Sequence, residues 1–418
     1  MIHGLLVLAF LLAVASKGHD AALKLKPGAQ GPLCLQCHVS FKDQLEKRFV
    51  HTPVRTKDCT GCHSPHATQH SKLLSEEKNK VCLTCHDKLL PKVPVSIHKP
   101  VADGVCVSCH DQHASANKAQ LVKPGAALCA TCHKELTDGI AKAKVKHAPL
   151  EKQGCIACHE PHSSVSASHL LKSEVPALCA RCHKTADPTF TRAHMGYPVG
   201  TSNCTSCHDP HGSSQPGMLY DTVHQPVATK NCAQCHQLAS DPKPFLTKRV
   251  GLDLCRGCHA QAVAQMLDKS AVHQPVIDQR SCLNCHSPHA SKTAGLLNGS
   301  MKTVCATCHA DTIARQQHSP SKHPPVAEGK CTECHDAHST NGTLLLSDKH
   351  KPETCAPCHE HMSHSTHPLG VKFKDPRNKN LTLDCLSCHR AHGTEYKKLL
   401  PFAKTTELCT SCHLQLGR

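Results

Sequence analysis

Thirty-two cysteines fall into sixteen Cys-x-x-Cys-His motifs, and none is left over. Two thiols three positions apart can each bond one vinyl group of the same haem, and the histidine that follows is then held under the iron as its proximal ligand. The sixteen sites are Cys34/Cys37/His38, Cys59/Cys62/His63, Cys82/Cys85/His86, Cys106/Cys109/His110, Cys129/Cys132/His133, Cys155/Cys158/His159, Cys179/Cys182/His183 and Cys204/Cys207/His208, followed by Cys232/Cys235/His236, Cys255/Cys258/His259, Cys282/Cys285/His286, Cys305/Cys308/His309, Cys331/Cys334/His335, Cys355/Cys358/His359, Cys385/Cys388/His389 and Cys409/Cys412/His413. Other uses of paired cysteines explain the pattern less well. Zinc ribbons and disulfide frameworks do not require a histidine after every pair. A redox dithiol needs one such motif, in a strand-helix setting.

The remaining histidines recur at set places around these motifs. An upstream class, typified by His-x-Pro, comprises His51, His98, His147, His194, His224, His273, His323 and His367. A trailing class, three residues past a motif, comprises His66, His113, His162, His211, His289, His338 and His392. Together they supply fifteen candidate sixth ligands for sixteen irons. A trailing histidine lies too close in sequence to its own proximal ligand to reach the opposite face of that haem, so it is expected to serve a neighbour. The deficit falls after Cys232, where Ala239 takes the trailing position. His318, His350, His361 and His364 are spare, and Met266 or Met362 offers a thioether; an open iron there is the alternative. His70 and His169, ahead of leucine pairs, read as surface groups or propionate partners.

The elements that must hold these residues form a repeat. One motif type follows an upstream histidine and usually carries a trailing one; the other follows a leucine-rich pair and lacks it. First-type motifs begin at Cys59, Cys106, Cys155 and Cys204, a period of 47 to 49 residues, so each unit mainly touches its neighbours. The register breaks once, where Cys204 and Cys232 are both first-type and 28 residues apart. Residues 212–223, opening with the turn-forming Gly212-Ser-Ser-Gln-Pro-Gly217, read as a seam between an N-terminal octahaem half, 16–211, and a C-terminal one, 224–418. A deletion within one continuous rod is the alternative. Proline after the upstream histidine argues for an extended approach rather than helix. Short helices are expected to run into second-type motifs, as in 75–88 with Ser75 as cap. The fold class is thus mostly irregular coil with short α-helices and little or no β, in an elongated repeat wrapped around stacked haems.

Composition agrees. With no Trp, 3 Tyr and 7 Phe, a chain of 418 residues has little with which to offset its ordering entropy, so porphyrin must supply much of the interior. The formal charge of +16 does not indicate nucleic acid, since no aromatic residues interleave the basic ones to stack bases. Each ferric haem brings about one net negative charge through its propionates, so sixteen haems bring the total near zero. Residues 1–15 read as a signal peptide cleaved near Ala15, although no Lys or Arg precedes the apolar run. That run is short for a membrane span, and no other stretch could form one.

On these motifs the chain resembles the multihaem c-type cytochromes with doubled Cys-x-x-Cys-His, found in bacteria that send electrons across or beyond the outer membrane. The likeness covers residues 34 to 413. It implies sixteen covalently attached c-type haems with bis-histidine iron, an exported protein in the periplasm or at the cell surface, and electron transfer rather than enzymatic bond chemistry. It also implies redox-protein partners, including an outer-membrane porin, and self-association into wires. The alternatives are a multihaem oxidoreductase with one open site and a filament-forming subunit.

Overall fold

Within each of two units, two-residue strands stitch one repeat to another. In the computed structural model, which describes residues 30–347, 355–359, 367, 369–370, 372–413 and 415, the chain is mostly irregular, with short helices and little β, as the sequence implies. The expected signal peptide, together with His350, His361, Met362 and His364, lies outside the described residues. Two units are distinguished, Met1–Cys179 and Ala180–Arg418.

In the first unit, β1 (Phe49–Val50), β2 (Ser96–Ile97), β3 (Ala114–Ser115) and β4 (Ser163–Ser164) pair antiparallel as β1 with β3 and β2 with β4. In the second, β5 (Thr222–Val223), β6 (Ala271–Val272), β7 (Ala290–Ser291) and β8 (Ser339–Thr340) pair as β5 with β7 and β6 with β8. Each pair joins the strand before an upstream histidine to the strand after the next repeat's trailing histidine. A hairpin of β9 (Lys374–Asp375) and β10 (Asn378–Thr382) is the fifth sheet among the described residues. The buried Asp375 carboxylate there accepts from the Arg377 guanidinium, which holds it well below the usual carboxylate range.

Two local expectations need correction. Proline does not keep the chain extended after the upstream histidines. His51, at φ −59 and ψ 137, caps a one-turn helix, Thr52–Arg55, whose first turn holds Pro53; His98, His147, His224, His273 and His323 cap equivalent turns. A proline costs nothing at a helix start, because its missing N–H would have no partner there. Nor does Ser75 cap the following helix. That helix is Lys78–Leu83, with Glu77 at the cap, while Ser75 donates its backbone N–H to Cys62 O at 2.9 Å.

The bond from Ser75 closes a loop that recurs after every first-type motif. His63 pairs with Leu74, His110 with Leu121, His208 with Leu219 and His335 with Leu346 as single antiparallel bridges. The carbonyls of Cys109 and Cys158 accept in the same way from Val122 and Lys172, each at 2.9 Å. In the loops after Cys59, Cys106, Cys155, Cys331 and Cys385 the tip carries consecutive non-glycine residues at positive φ, such as Lys72 (58°) and Leu73 (54°), or Leu344 (56°) and Leu345 (55°). That conformation costs roughly 1–2 kcal/mol per residue. Residues 212–219 form the same loop, with Gly217 at φ 66°, so the turn chemistry there builds an ordinary repeat element. Few apolar side chains are buried: Val50, Ala114, Ala167, Tyr197, Val263, Val276, Ala290 and Val304 among the described residues. The polypeptide core is accordingly small.

Candidate haem-attachment sites

The strained loop places one carbonyl under each first-type motif. Nδ1 of His63 lies 2.9 Å from Lys72 O, that of His110 2.8 Å from Ala119 O and that of His159 2.9 Å from His169 O. His208, His236, His286, His335 and His389 meet Gly217, Phe245, Gly295, Leu344 and Lys398 in the same way. A carbonyl acceptor makes Nδ1 the protonated nitrogen and leaves Nε2 as a lone-pair donor. These carbonyls were not anticipated; the signal was the leucine pair at a fixed distance past each motif. His169 belongs to this group by its backbone, and its ring lies 3.1 Å from Ser168 Oγ.

Histidines distant in sequence then come face to face. Ring centroids of His63 and His113 lie 6.3 Å apart, those of His110 and His162 5.9 Å, His236 and His289 6.0 Å, His286 and His338 6.0 Å, and His335 and His392 5.9 Å. A trailing histidine thus faces the proximal histidine of the preceding first-type motif. The upstream class faces second-type motifs: His51 and His86 at 6.1 Å, His98 and His133 at 6.1 Å, His224 and His259 at 6.3 Å, His273 and His309 at 6.2 Å, and His323 and His359 at 6.2 Å. In all ten pairs the planes lie within 15° to 30° of parallel. His367 and His413 are 6.0 Å apart but inclined at 58°.

Two imidazole nitrogens each about 2 Å from one metal, with about 1 Å from nitrogen to ring centre, put the centroids about 6 Å apart. The residues therefore fit an iron held between them. Burial lowers the pKa of His113, His162, His289 and His392, and the facing rings lower it further, which favours the neutral imidazole that binds metal. Nδ1 of His51, His98, His224 and His273 meets a carbonyl of the next repeat, Gln112, Pro161, Pro288 and Ala337, at 2.8 to 3.1 Å. Asp111 and Asp336 accept the backbone N–H of His113 and His338, orienting the trailing class.

The site beside Cys232 differs from expectation. His289 faces His236, so the absence of a histidine at 239 leaves no gap there. A trailing histidine serves the preceding repeat, and the sequence alone does not give that offset. His38 and His66 are exposed and are not brought into a ring pair. His183 is exposed as well. Burial lowers the pKa of His208, and the nearby imidazoles of His194 and His183 lower it further, so His183 lies beside the Cys204 site. His147 and His194 precede and follow the unit boundary, and His211 accompanies Asp209. His318 ends the helix Ala310–His318, and Met266 lies within Leu252–Leu267.

Thiols of consecutive motifs adjoin. Cys59 interacts with Cys34, Cys82 with Cys106, Cys129 with Cys155 and Cys355 with Cys385. Burial, and then Cys106, push the Cys82 thiol up to about 11. Second cysteines adjoin likewise: Cys62 with Cys85, Cys235 with Cys258, Cys285 with Cys308, Cys334 with Cys358 and Cys388 with Cys412. Cys109 acts instead on Cys129, the first cysteine of the motif that follows.

The two motif types expose their second thiols differently, which sequence reading did not distinguish. Cys37, Cys85, Cys132, Cys182, Cys258, Cys308 and Cys358, all in second-type motifs, are exposed. Cys62, Cys109 and Cys158, in first-type motifs, are half-buried, because the returning loop covers them. Neighbouring polar groups touch four of the exposed thiols: Thr84, Thr131 and Thr307 Oγ1 donate to Cys85, Cys132 and Cys308 Sγ at 3.8 to 3.9 Å, and Gln234 Nε2 to Cys258 Sγ at 3.6 Å. A thiol that is to bond a porphyrin edge cannot also be enclosed by protein, so both degrees of exposure fit attachment.

A family model described as the doubled CXXCH motif matches at 51–90, 98–138, 147–188, 197–223, 224–264, 273–314, 323–364 and 379–417. The chain belongs to that family. Seven matched segments of this doubled-CXXCH protein hold two motifs, and 197–223 holds one. Its motifs make it a multihaem c-type cytochrome that carries electrons. No curated protein matches it. Among the described residues no helix is long and apolar enough to cross a membrane.

Proposed function

We propose that the chain is a sixteen-haem electron conductor in which attachment follows the sequence and iron ligation crosses between repeats. The carrying observation is the set of facing histidine rings about one metal-bridged span apart. Bound haem supplies a one-electron carrier at each site. The cysteine pairs fix each porphyrin to the chain, and consecutive motifs adjoin, so successive carriers follow sequence order within each unit. Proximal histidines hold one axial position. His113, His162, His289, His338 and His392 hold the other for the preceding first-type motif; His51, His98, His224, His273 and His323 hold it for the following second-type motif. A haem held between two such histidines would have no position open to substrate, so it would supply one-electron transfer alone. Lysines and arginines balance the propionates.

This register fills the sixth position beside Cys232 and leaves two unassigned: that of Cys34, for which His66 is available, and that of Cys385, the last first-type motif, for which His361 and His364 are available. A reductase reading that rested on an open iron beside Cys232 loses that support. Export, with transfer across or beyond the outer membrane to other redox proteins, and the division of the motif register into eight and eight at 212–223 belong to this proposal. Intact mass spectrometry of the mature holoprotein tests the count, expecting sixteen covalent haems. A redox titration tests the role: overlapping low potentials over a broad range are expected, whereas one sharp step would refute a conductor.

A further inference from the structure

We infer that His194 and His208 form the axial pair of the Cys204/Cys207 haem, and that this pair and His367 with His413 are the two crossed-plane sites among the twelve facing histidine pairs of the described residues. The inference rests on the bis-histidine reading above and names which sites depart from it.

His194 belongs to the upstream class by position, but two members of that class lack the x-Pro that follows the rest. The chain reads His194-Met-Gly-Tyr-Pro198 and His367-Pro-Leu369. These are the two whose rings are crossed. His194 and His208 have centroids 6.2 Å apart, the same span as every other pair, but their planes meet at 67°. His367 and His413 meet at 58°. Of the six upstream histidines followed by x-Pro, His51, His98, His224, His273 and His323 lie within 17° to 22° of their partners' planes.

The cause at His194 is its route to the site. The x-Pro histidines cap the N-terminus of a short helix with an extended backbone, and Nδ1 of His51, His98, His224 and His273 is fixed by the next repeat. His194 instead ends the helix Pro188–Ala193, at φ −105 and ψ 24. Its Nδ1 lies 2.9 Å from Phe190 O one turn back, and its ring packs 4.4 Å from that of Phe190. The helix end thus dictates the ring plane. His208 is held independently, Nδ1 to Gly217 O at 2.7 Å. Both rings of this pair are therefore anchored by carbonyls. In the pairs of His51, His63, His98, His110, His224, His236, His273, His286 and His335, the anchor is on that ring and not on its partner. A doubly anchored pair cannot rotate to relieve the crossing.

Crossed axial imidazoles leave the iron d-orbitals that donate to them nearly equal in energy. Ferric iron in such a site gives a strongly axial low-spin resonance, whereas parallel planes give a rhombic one. Electron paramagnetic resonance of the oxidised full-length holoprotein should show an axial low-spin signal integrating to about two haems beside a rhombic signal from the remainder. His194→Ala should remove half of the axial signal and add a high-spin signal of about one haem; His367→Ala should remove the other half. A wild-type spectrum without the axial component overturns the inference even if neither variant folds, as does an axial signal that survives both substitutions. Mass spectrometry on the same sample separates the two levels: sixteen haems without an axial signal defeat this assignment alone, whereas far fewer haems defeat the conductor itself.

Discussion

Residues 98–171 and residues 188–247 solve the same problem with different means. In the first, a regular repeat, His98 donates its backbone N–H to His162 O at 2.9 Å, β2 pairs with β4, and Ser96 Oγ donates to Ala167 O at 2.9 Å. Three short bonds between repeats set where the histidines point. In the second, a motif is missing and so is the trailing histidine at 239, and no strand precedes His194. A helix delivers His194 instead. Tyr197, 6 % exposed, takes over the link to the next motif by donating its hydroxyl to Gln237 O at 2.6 Å. Tyr197 and Phe245 pack 6.0 Å apart, so scarce aromatic residues gather where porphyrin density falls. The span between facing imidazoles survives all of these changes, which identifies it as the quantity the fold conserves.

The largest effect expected is shared by both regions. Chain produced without haem attachment should lack protection from protease throughout, because the buried apolar set is too small to offset its ordering entropy; limited proteolysis checks this, and a resistant apoprotein would contradict it. Next, His113→Ala in the regular region should open one sixth position, giving a high-spin signal of about one haem in sixteen with the mass otherwise unchanged. Sharper discrimination comes from the links. Tyr197→Phe should destabilise the 188–247 region by about 1–2 kcal/mol, because Gln237 O loses its donor, whereas Ser96→Ala should affect only 98–171; hydrogen exchange resolved by segment distinguishes them.

Acid should separate the regions as well. Burial opposes ionisation of Asp209, but hydrogen bonds from His211 and Lys292 outweigh it and hold the carboxyl below its ordinary 3.8. A depressed folded value stabilises above the unfolded one, so this contribution is complete at neutral pH and is lost as pH falls below 3.8 through the folded value. Lys292→Ala should raise the pH at which exchange near 209–223 accelerates and leave 98–171 unchanged. The smallest effect concerns the loop tips. Gly217→Ala should cost about 1 kcal/mol, and Lys72→Gly should be neutral or stabilising, since both positions have positive φ; thermal unfolding of the holoproteins measures both.

The motifs were legible residue by residue because their spacing is local: thiol, thiol and imidazole lie within five consecutive positions, Cys59 to His63 for instance. The recurrence of His113 or His273 marked them as ligand candidates, but not their partners. Phe190 O and the carbonyl of Lys72 were illegible, since a backbone acceptor carries no residue-type signature. The expectation of a missing ligand beside Cys232 failed for a related reason: it assumed an offset in sequence where the offset belongs to the stitching of repeats.

The sequence by itself determined how many Cys-x-x-Cys-His motifs there are, their order and the histidine that closes each, because those follow from local spacing. Only the tertiary structure decided which distant imidazole faces which, and at what angle. Those depend on strained turns and one helix end, and on two-residue strands whose neighbouring hydrogen bonds join residues more than sixty positions apart, as from His98 to His162.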